Sequence, residues 1–153
     1  MFNSQEIKQV QEITKKLFEK ITVPVEIEIK PFKEQTLPVE IKTDEPQILI
    51  GEKGQTLSEI QHLLKAILRK IIDKPFYIDL DINGYKRKKI DYLKQLARSS
   101  ADEVVLNGQE KVLTPMSAYE RRIVHLELAE RGNITTESIG EEPERKIAIR
   151  PYP

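Results

Sequence analysis

Residues 46–57 read Pro46-Gln47-Ile48-Leu49-Ile50-Gly51-Glu52-Lys53-Gly54-Gln55-Thr56-Leu57. Pro46 suits the first turn of a helix, where its missing N–H loses no bond, and Asp44 before it is the expected cap. A very short helix, Gln47 to Ile50, should run straight into Gly51-Glu52-Lys53-Gly54. Beyond the loop, Leu57, Ile60, Leu64, Ile67 and Ile71 recur at helical spacing, widened by Leu63 and Leu68. This predicts an amphipathic helix that Pro75 stops. Two glycines around two polar residues let the chain turn sharply between helices and let another backbone approach with no Cβ in the way. The loop leads into a helix N-terminus, whose free N–H groups and positive dipole end suit a phosphate. Lys53 adds a mobile positive charge, whereas Glu52 should repel phosphate. Lys65, Arg69, Lys70 and Lys74 further along could compensate, or could simply form a solvated face.

Working outward, residues 4–20 carry Ile7, Val10, Ile13 or Thr14, and Leu17 at helical spacing, with Ser4 as the expected cap. Val23, Val25, Ile27 and Ile29 alternate with polar residues as a half-buried strand. Leu37, Val39 and Ile41 repeat the pattern, and so do Phe76, Ile78, Leu80 and Ile82. Asn83-Gly84 is a turn signal and the expected module boundary. The order before it is α-β-β-α-α-β. With its loop between two helices, residues 1–83 resemble a KH domain of the prokaryotic type (type II). The resemblance implies that Gly51, Glu52, Lys53 and Gly54 hold about four backbone nucleotides.

After the boundary, a long helix is expected from Tyr85 to about Leu106, with Ile90, Leu93, Ala97, Ala101 and Val104 on one face. Asn107-Gly108 ends it. A short extended piece, Lys111 to Leu113, leads to Pro115, and Ser117 should cap a further helix to about Glu130. Residues 134–139 and 145–150 read as two closing strands around Gly140-Glu141-Glu142-Pro143.

Arg121 and His125 stand four residues apart on the helix expected after Ser117, on one face of neighbouring turns. An arginine fork fits phosphate, and a neutral imidazole can bond to or stack on a base. Tyr119 and Arg122 are second candidates. The run Pro115-Met116-Ser117-Ala118-Tyr119-Glu120-Arg121-Arg122-Ile123-Val124-His125 resembles the core of an R-3-H domain. The tail from Thr136 to Ile149 resembles its two closing strands in the bacterial version, with a Thr-x-Ser-x-Gly-x-Glu-Pro-x-Arg pattern. Residues 84–153 are thus expected to form a second module, a three-stranded sheet with helices.

KH followed by R-3-H resembles the bacterial Jag (SpoIIIJ-associated) family. The resemblance implies an α+β chain of two small α/β modules that binds single-stranded nucleic acid. RNA is the expected polymer and single-stranded DNA the other candidate. It further implies a post-transcriptional role linked to cell elongation and division, and a KH-only partner protein or a homodimer. Many members carry an extra N-terminal Jag domain, and this sequence is expected to lack it because it begins at the KH helix.

Lys86, Arg87, Lys88 and Lys89, then Lys94 and Arg98, give six basic residues against one acid, Asp91, between positions 85 and 98. Tyr85 and Tyr92 interleave with them, a pattern suited to guiding a single strand from one module to the other. Glu137, Glu141, Glu142 and Glu144 are expected to lie away from bound phosphate, and Arg145 to support a strand–helix junction.

The whole chain sets further bounds. Its 153 residues carry 25 basic and 25 acidic side chains and no cysteine. Zero net charge leaves the polymer question to local charge distribution. The absence of cysteine excludes disulfides, thiolate metal sites and cysteine nucleophiles. No apolar run approaches the roughly 20 residues of a membrane span, and Met1-Phe2-Asn3-Ser4-Gln5-Glu6 has no signal-peptide pattern. A soluble, cytoplasmic chain without membrane insertion is expected. Asp79 and Asp81 share a strand face and His62 is near in sequence, but no third ligand has suitable spacing. No nucleophile elbow or Walker loop occurs. The expectation is a binding protein, not an enzyme, with no metal or cofactor. The rival reading is a protein-interaction scaffold, favoured by Glu52 and the zero net charge.

Overall fold

A computed structural model describes residues 2–153. The chain divides into two compact units, one ending at Lys86 and the other running from Arg87 to Pro153. The division falls inside a helix, just beyond the expected Asn83-Gly84 turn.

The first unit starts with α1 (Ser4–Ile21). Its cap is Asn3, one residue before the expected Ser4: Asn3 Oδ1 accepts from Glu6 N at 2.8 Å, and Glu6 Oε2 accepts from Asn3 N at 2.8 Å. This reciprocal box needs a glutamate three residues after the cap, which only Asn3 has. Strands β1 (Glu26–Ile29) and β2 (Thr36–Lys42) pair antiparallel from Glu26↔Lys42 to Ile29↔Val39. Val23 and Val25 keep the alternation but stay outside the ladder, because β2 ends at Lys42. Beyond it, Thr43 turns to the side chain of Asn83 and to the carbonyl of Pro24. The chain crosses through α2 (Pro46–Ile50) and α3 (Gln55–Leu68) to β3 (Tyr77–Ile82), which runs parallel to β2. The sheet order is β1-β2-β3.

One face of this sheet is buried. Leu37, Val39 and Ile41 of β2 meet Ile78, Leu80 and Ile82 of β3, under Val10 and Phe18 of α1 and Leu64 of α3. Along α3 the buried stripe is Leu57, Ile60, Leu64 and Leu68, continued by Ile72. The expected Ile71 and Leu63 are 44% and 50% exposed. Steps of four residues drift round a helix of 3.6 residues per turn. The helix also tightens past Leu68, where Ile71 N and Ile72 N both bond to Leu68 O, so Ile72 swings inward in place of Ile71.

The second unit holds the body of α4 (Tyr85–Asn107), then β4 (Lys111–Val112), α5 (Ala118–Leu128), β5 (Ile134–Ile139) and β6 (Lys146–Pro151). Its sheet is antiparallel throughout, in the order β4-β6-β5. Ile147, Ala148 and Ile149 of the central strand are all buried. Leu93, Ala97, Ala101 and Val104 of α4 join Val124 and Leu128 of α5 in the core. Ser100 Oγ is also fully enclosed and has no hydrogen-bond partner among the described residues. Ser117 caps α5 as expected, in a box with Glu120. Across the outer sheet face, Arg150 pairs with both Glu110 and Glu137.

No helix among the described residues is long and apolar enough to cross a membrane. No group of three or more His, Asp or Glu side chains among them could hold a metal ion.

Candidate nucleic-acid interface

The Gly51–Gly54 loop is a single 3-10 turn, Glu52–Gly54, joining α2 to α3. Gly51 N donates to Gln47 O at 3.0 Å and Gly54 N to Gly51 O at 3.4 Å. Both glycines have positive φ, +70° and +79°, and Lys53 shares the left-handed region at 54°. A Cβ on Gly51 would stand 2.1 Å from Thr56 Oγ1, and one on Gly54 would stand 3.0 Å from Tyr85 Cε1. The expected close approach is therefore to the chain's own Thr56 and Tyr85. These contacts leave Glu52 and Lys53 exposed at the tip. Gly54 caps α3 with no side-chain hydrogen bond, so the helix start has no competing carboxylate or hydroxyl as its cap.

Tyr85 and Lys86 extend this surface. Lys86 Nζ donates to Asp79 Oδ1 at 2.6 Å and to Gln61 Oε1 at 3.1 Å. Gln61 Oε1 also accepts from Leu80 N at 3.1 Å, on the outer edge of β3. Asp81 Oδ1 accepts from Lys86 N and from Ile82 N, so it holds the start of α4. The paired aspartates are thus engaged with Lys86 and backbone amides. Residues further along α3 and past its end diverge: Lys65 lies 4.8 Å from the centre of the exposed Tyr77 ring, and Arg69 and Lys70 point to solvent. Lys74 bonds to Glu6.

In the second unit the basic stretch is uneven. Lys89 Nζ lies 3.7 Å from Glu120 and 5.7 Å from the centre of the Tyr92 ring, and Arg98 pairs with Glu127 at 2.9 Å. Arg87, Lys88 and Lys94 are exposed and form no ion pair among the described residues.

Arg121 is 8% exposed. Its Nη1 donates to Met116 O at 2.7 Å and its Nη2 lies 2.8 Å from Glu142 Oε1. The expectation that Glu142 stands apart from this arginine is therefore overturned. The turn between β5 and β6 folds back over the start of α5 and brings the carboxylate to the guanidinium. Glu137 does lie elsewhere, on the outer sheet face with Arg150. His125 is half-buried, its Nδ1 2.8 Å from Thr136 Oγ1 of β5. Burial, and secondarily the charge of Arg121, hold its pKa below the ordinary 6.5. A neutral imidazole at neutral pH follows. Arg122 and Tyr119 are exposed on α5. Arg145 braces the β5–β6 turn, through Ser138 Oγ at 2.9 Å and Gly140 O at 3.3 Å, and not the strand–helix junction. Only its backbone carbonyl faces that junction, accepting from Met116 N.

Sequence reasoning passed over Gln61, and it named Thr136 and Glu142 without their partners. The last two lie inside the pattern that accompanies Arg121 and His125, but a linear pattern gives no pairing. Gln61 has no local signal at all, since its bond to Leu80 spans 19 residues.

Comparison with known proteins finds both kinds of domain, with matches that overlap over residues 91–117. A KH domain model matches residues 8–117. The chain belongs to the KH-domain family. An R-3-H domain model matches residues 91–151, so KH and R-3-H domains occur in that order. The chain is 32% identical over 139 residues to the RNA-binding protein KhpB of Clostridium symbiosum, covering 90% of this chain and 63% of that protein. It is 33% identical over 107 residues to the protein of the same name from Lactiplantibacillus plantarum, covering 70% and 33%. For Bacillus subtilis the figures are 32% over 111 residues, 71% and 53%. This KH-family chain thus spans between a third and somewhat under two thirds of the length of these relatives.

Proposed function

We propose that this chain binds single-stranded nucleic acid, RNA before DNA, as a binding protein that catalyses no reaction. One observation supports the reading most: the Gly51–Gly54 turn presents Lys53 at the start of a helix whose cap makes no side-chain bond. Such a start attracts phosphate through its amides and its dipole. That the relatives are named RNA-binding proteins favours RNA.

In this reading the first unit holds a backbone segment at Gly51, Glu52, Lys53 and Gly54, with Lys86 beside it. The second unit contributes the exposed Arg87, Lys88 and Arg122 as phosphate contacts, Lys89 once it leaves Glu120, and Arg121 and His125 as the site for one nucleotide. Neutral His125 bonds to a base or sugar and does not act as a cation. The finer role is a cytoplasmic post-transcriptional regulator linked to cell elongation and division, paired with a KH-only protein or with itself. It belongs to the same proposal and rests on the family resemblance alone.

Fluorescence anisotropy with a labelled mixed-sequence 12-nucleotide RNA tests the reading at low and moderate salt. Salt-sensitive binding by the parent, weakened in Lys53→Glu, is the expected result. No binding by the parent at micromolar protein would sink it and would favour the scaffold reading, since an apolar protein interface lacks this salt dependence.

A further inference from the structure

We infer that Glu142 sets access to the Arg121 guanidinium: its carboxylate occupies the place of a phosphate on Arg121 and leaves when a strand binds. The inference rests on the nucleic-acid reading above and adds a determinant of specificity to that site.

Three observations support it. First, carboxylate oxygens present to a guanidinium the same charged acceptors as phosphate oxygens do. Glu142 Oε1, 2.8 Å from Arg121 Nη2, therefore stands in for a phosphate oxygen. Second, the two partners are unequally held. The Arg121 side chain is 10% exposed and anchored through Nη1 to Met116 O, whereas that of Glu142 is 60% exposed. The guanidinium is a fixed receptor and the carboxylate is the member free to move.

Third, the turn that carries Glu142 keeps its shape by other bonds. Arg145 ties Ser138 Oγ and Gly140 O, and Glu144 N donates to Glu141 O at 2.9 Å. Gly140, at φ +83°, supplies the left-handed corner. Releasing the Glu142 side chain breaks none of these.

The arrangement also filters ligands. A tethered carboxylate competes at the high effective concentration of an intramolecular group. A lone phosphate ion gains little by replacing it. A strand already held through other phosphates meets the same competitor with its entropy of association largely spent, and displaces it. Glu142 thus restricts Arg121 to polyanions that bind the unit at several points.

The test compares the full chain with Glu142→Gln and with Glu141→Gln, which removes the same charge from the same turn without touching Arg121. All are titrated against the 12-nucleotide RNA by anisotropy, with folding checked by circular dichroism. Glu142→Gln should bind about twofold to fivefold tighter, the gain expected when an ion pair of this exposure no longer competes. Glu141→Gln should gain clearly less. Equal gains would reduce the effect to net charge and overturn the inference. So would unchanged or weaker binding by folded Glu142→Gln.

Carbodiimide-driven amidation of the parent, mapped by mass spectrometry, tests the idea without any variant. Saturating RNA should raise the labelling of Glu142 as it leaves Arg121. Unchanged or reduced labelling would overturn the inference. A parent that binds no RNA would fail the function reading itself, whereas a parent that binds while Glu142 behaves as in these negative outcomes would fail only the gate.

Discussion

The ring of Tyr85 lies where a side chain on Gly54 would have to go, 3.0 Å from an ideal Cβ. Gly54 also needs φ +79°, a conformation that disfavours other residues by about 1–2 kcal/mol. Gly54→Ala should therefore destabilise the chain by about that much, measured by urea unfolding, before any effect on a ligand. Tyr85→Ala in the same background should recover the steric part and leave the backbone part. A Gly54 variant that lost binding would thus report on folding as well as on the loop. Lys53, exposed at the tip, is the cleaner probe.

His125 gives a pH dependence of known sign. Its folded pKa lies below the ordinary 6.5, first through burial and then through the charge of Arg121. The unfolded chain binds this proton more readily than the folded one. Stability should therefore be full above about pH 6.5 and fall as the pH drops through the window between the unfolded and folded values. Histidine ring shifts followed by NMR check the pKa, and denaturation midpoints across the same window check the stability. His125→Gln should flatten that part of the profile.

The basic residues of α4 divide by their partners. Arg87, Lys88 and Lys94 are unpaired among the described residues, whereas Lys86 and Arg98 hold carboxylates. Each free cation that meets a phosphate adds about one to the slope of log K against log salt. Arg87→Ala and Lys88→Ala should each lower that slope by about one. Arg98→Ala should change it less, because a strand would first have to displace Glu127.

Ser100 offers a stability test away from the interface. Its hydroxyl is enclosed in the core of the second unit with no partner among the described residues. Ser100→Ala removes a desolvated polar group and improves helix propensity. A gain of about 1 kcal/mol is expected in urea unfolding.

Much of this anatomy was readable along the chain because it is local. The alternation of Ile78, Leu80 and Ile82, the Ser117 cap and the glycine loop each depend on neighbours within a few residues. At two helix ends the structure differs from the sequence reading by one position. Ser4 gave way to Asn3 because only Asn3 has a glutamate three residues on, and Ile71 gave way to Ile72 because the helix tightens at its end. What could not be read were contacts closed by the fold itself. Arg121 and Glu142 are 21 residues apart, and nothing in either segment says that the β5–β6 turn bends back over α5. Gly54 and Tyr85 meet only after β3 has brought the chain home.

The middle strand of the second sheet is the last of its three to be synthesised. On a translating ribosome, β4 and β5 would emerge with no partner, since each pairs with β6 and not with the other. The core that α4 and α5 share would stay incomplete until Ile147 and Ile149 arrive. The second unit therefore cannot mature from its beginning forward. It has to wait for its closing residues, and the interval before they emerge is when a nascent-chain chaperone would matter most.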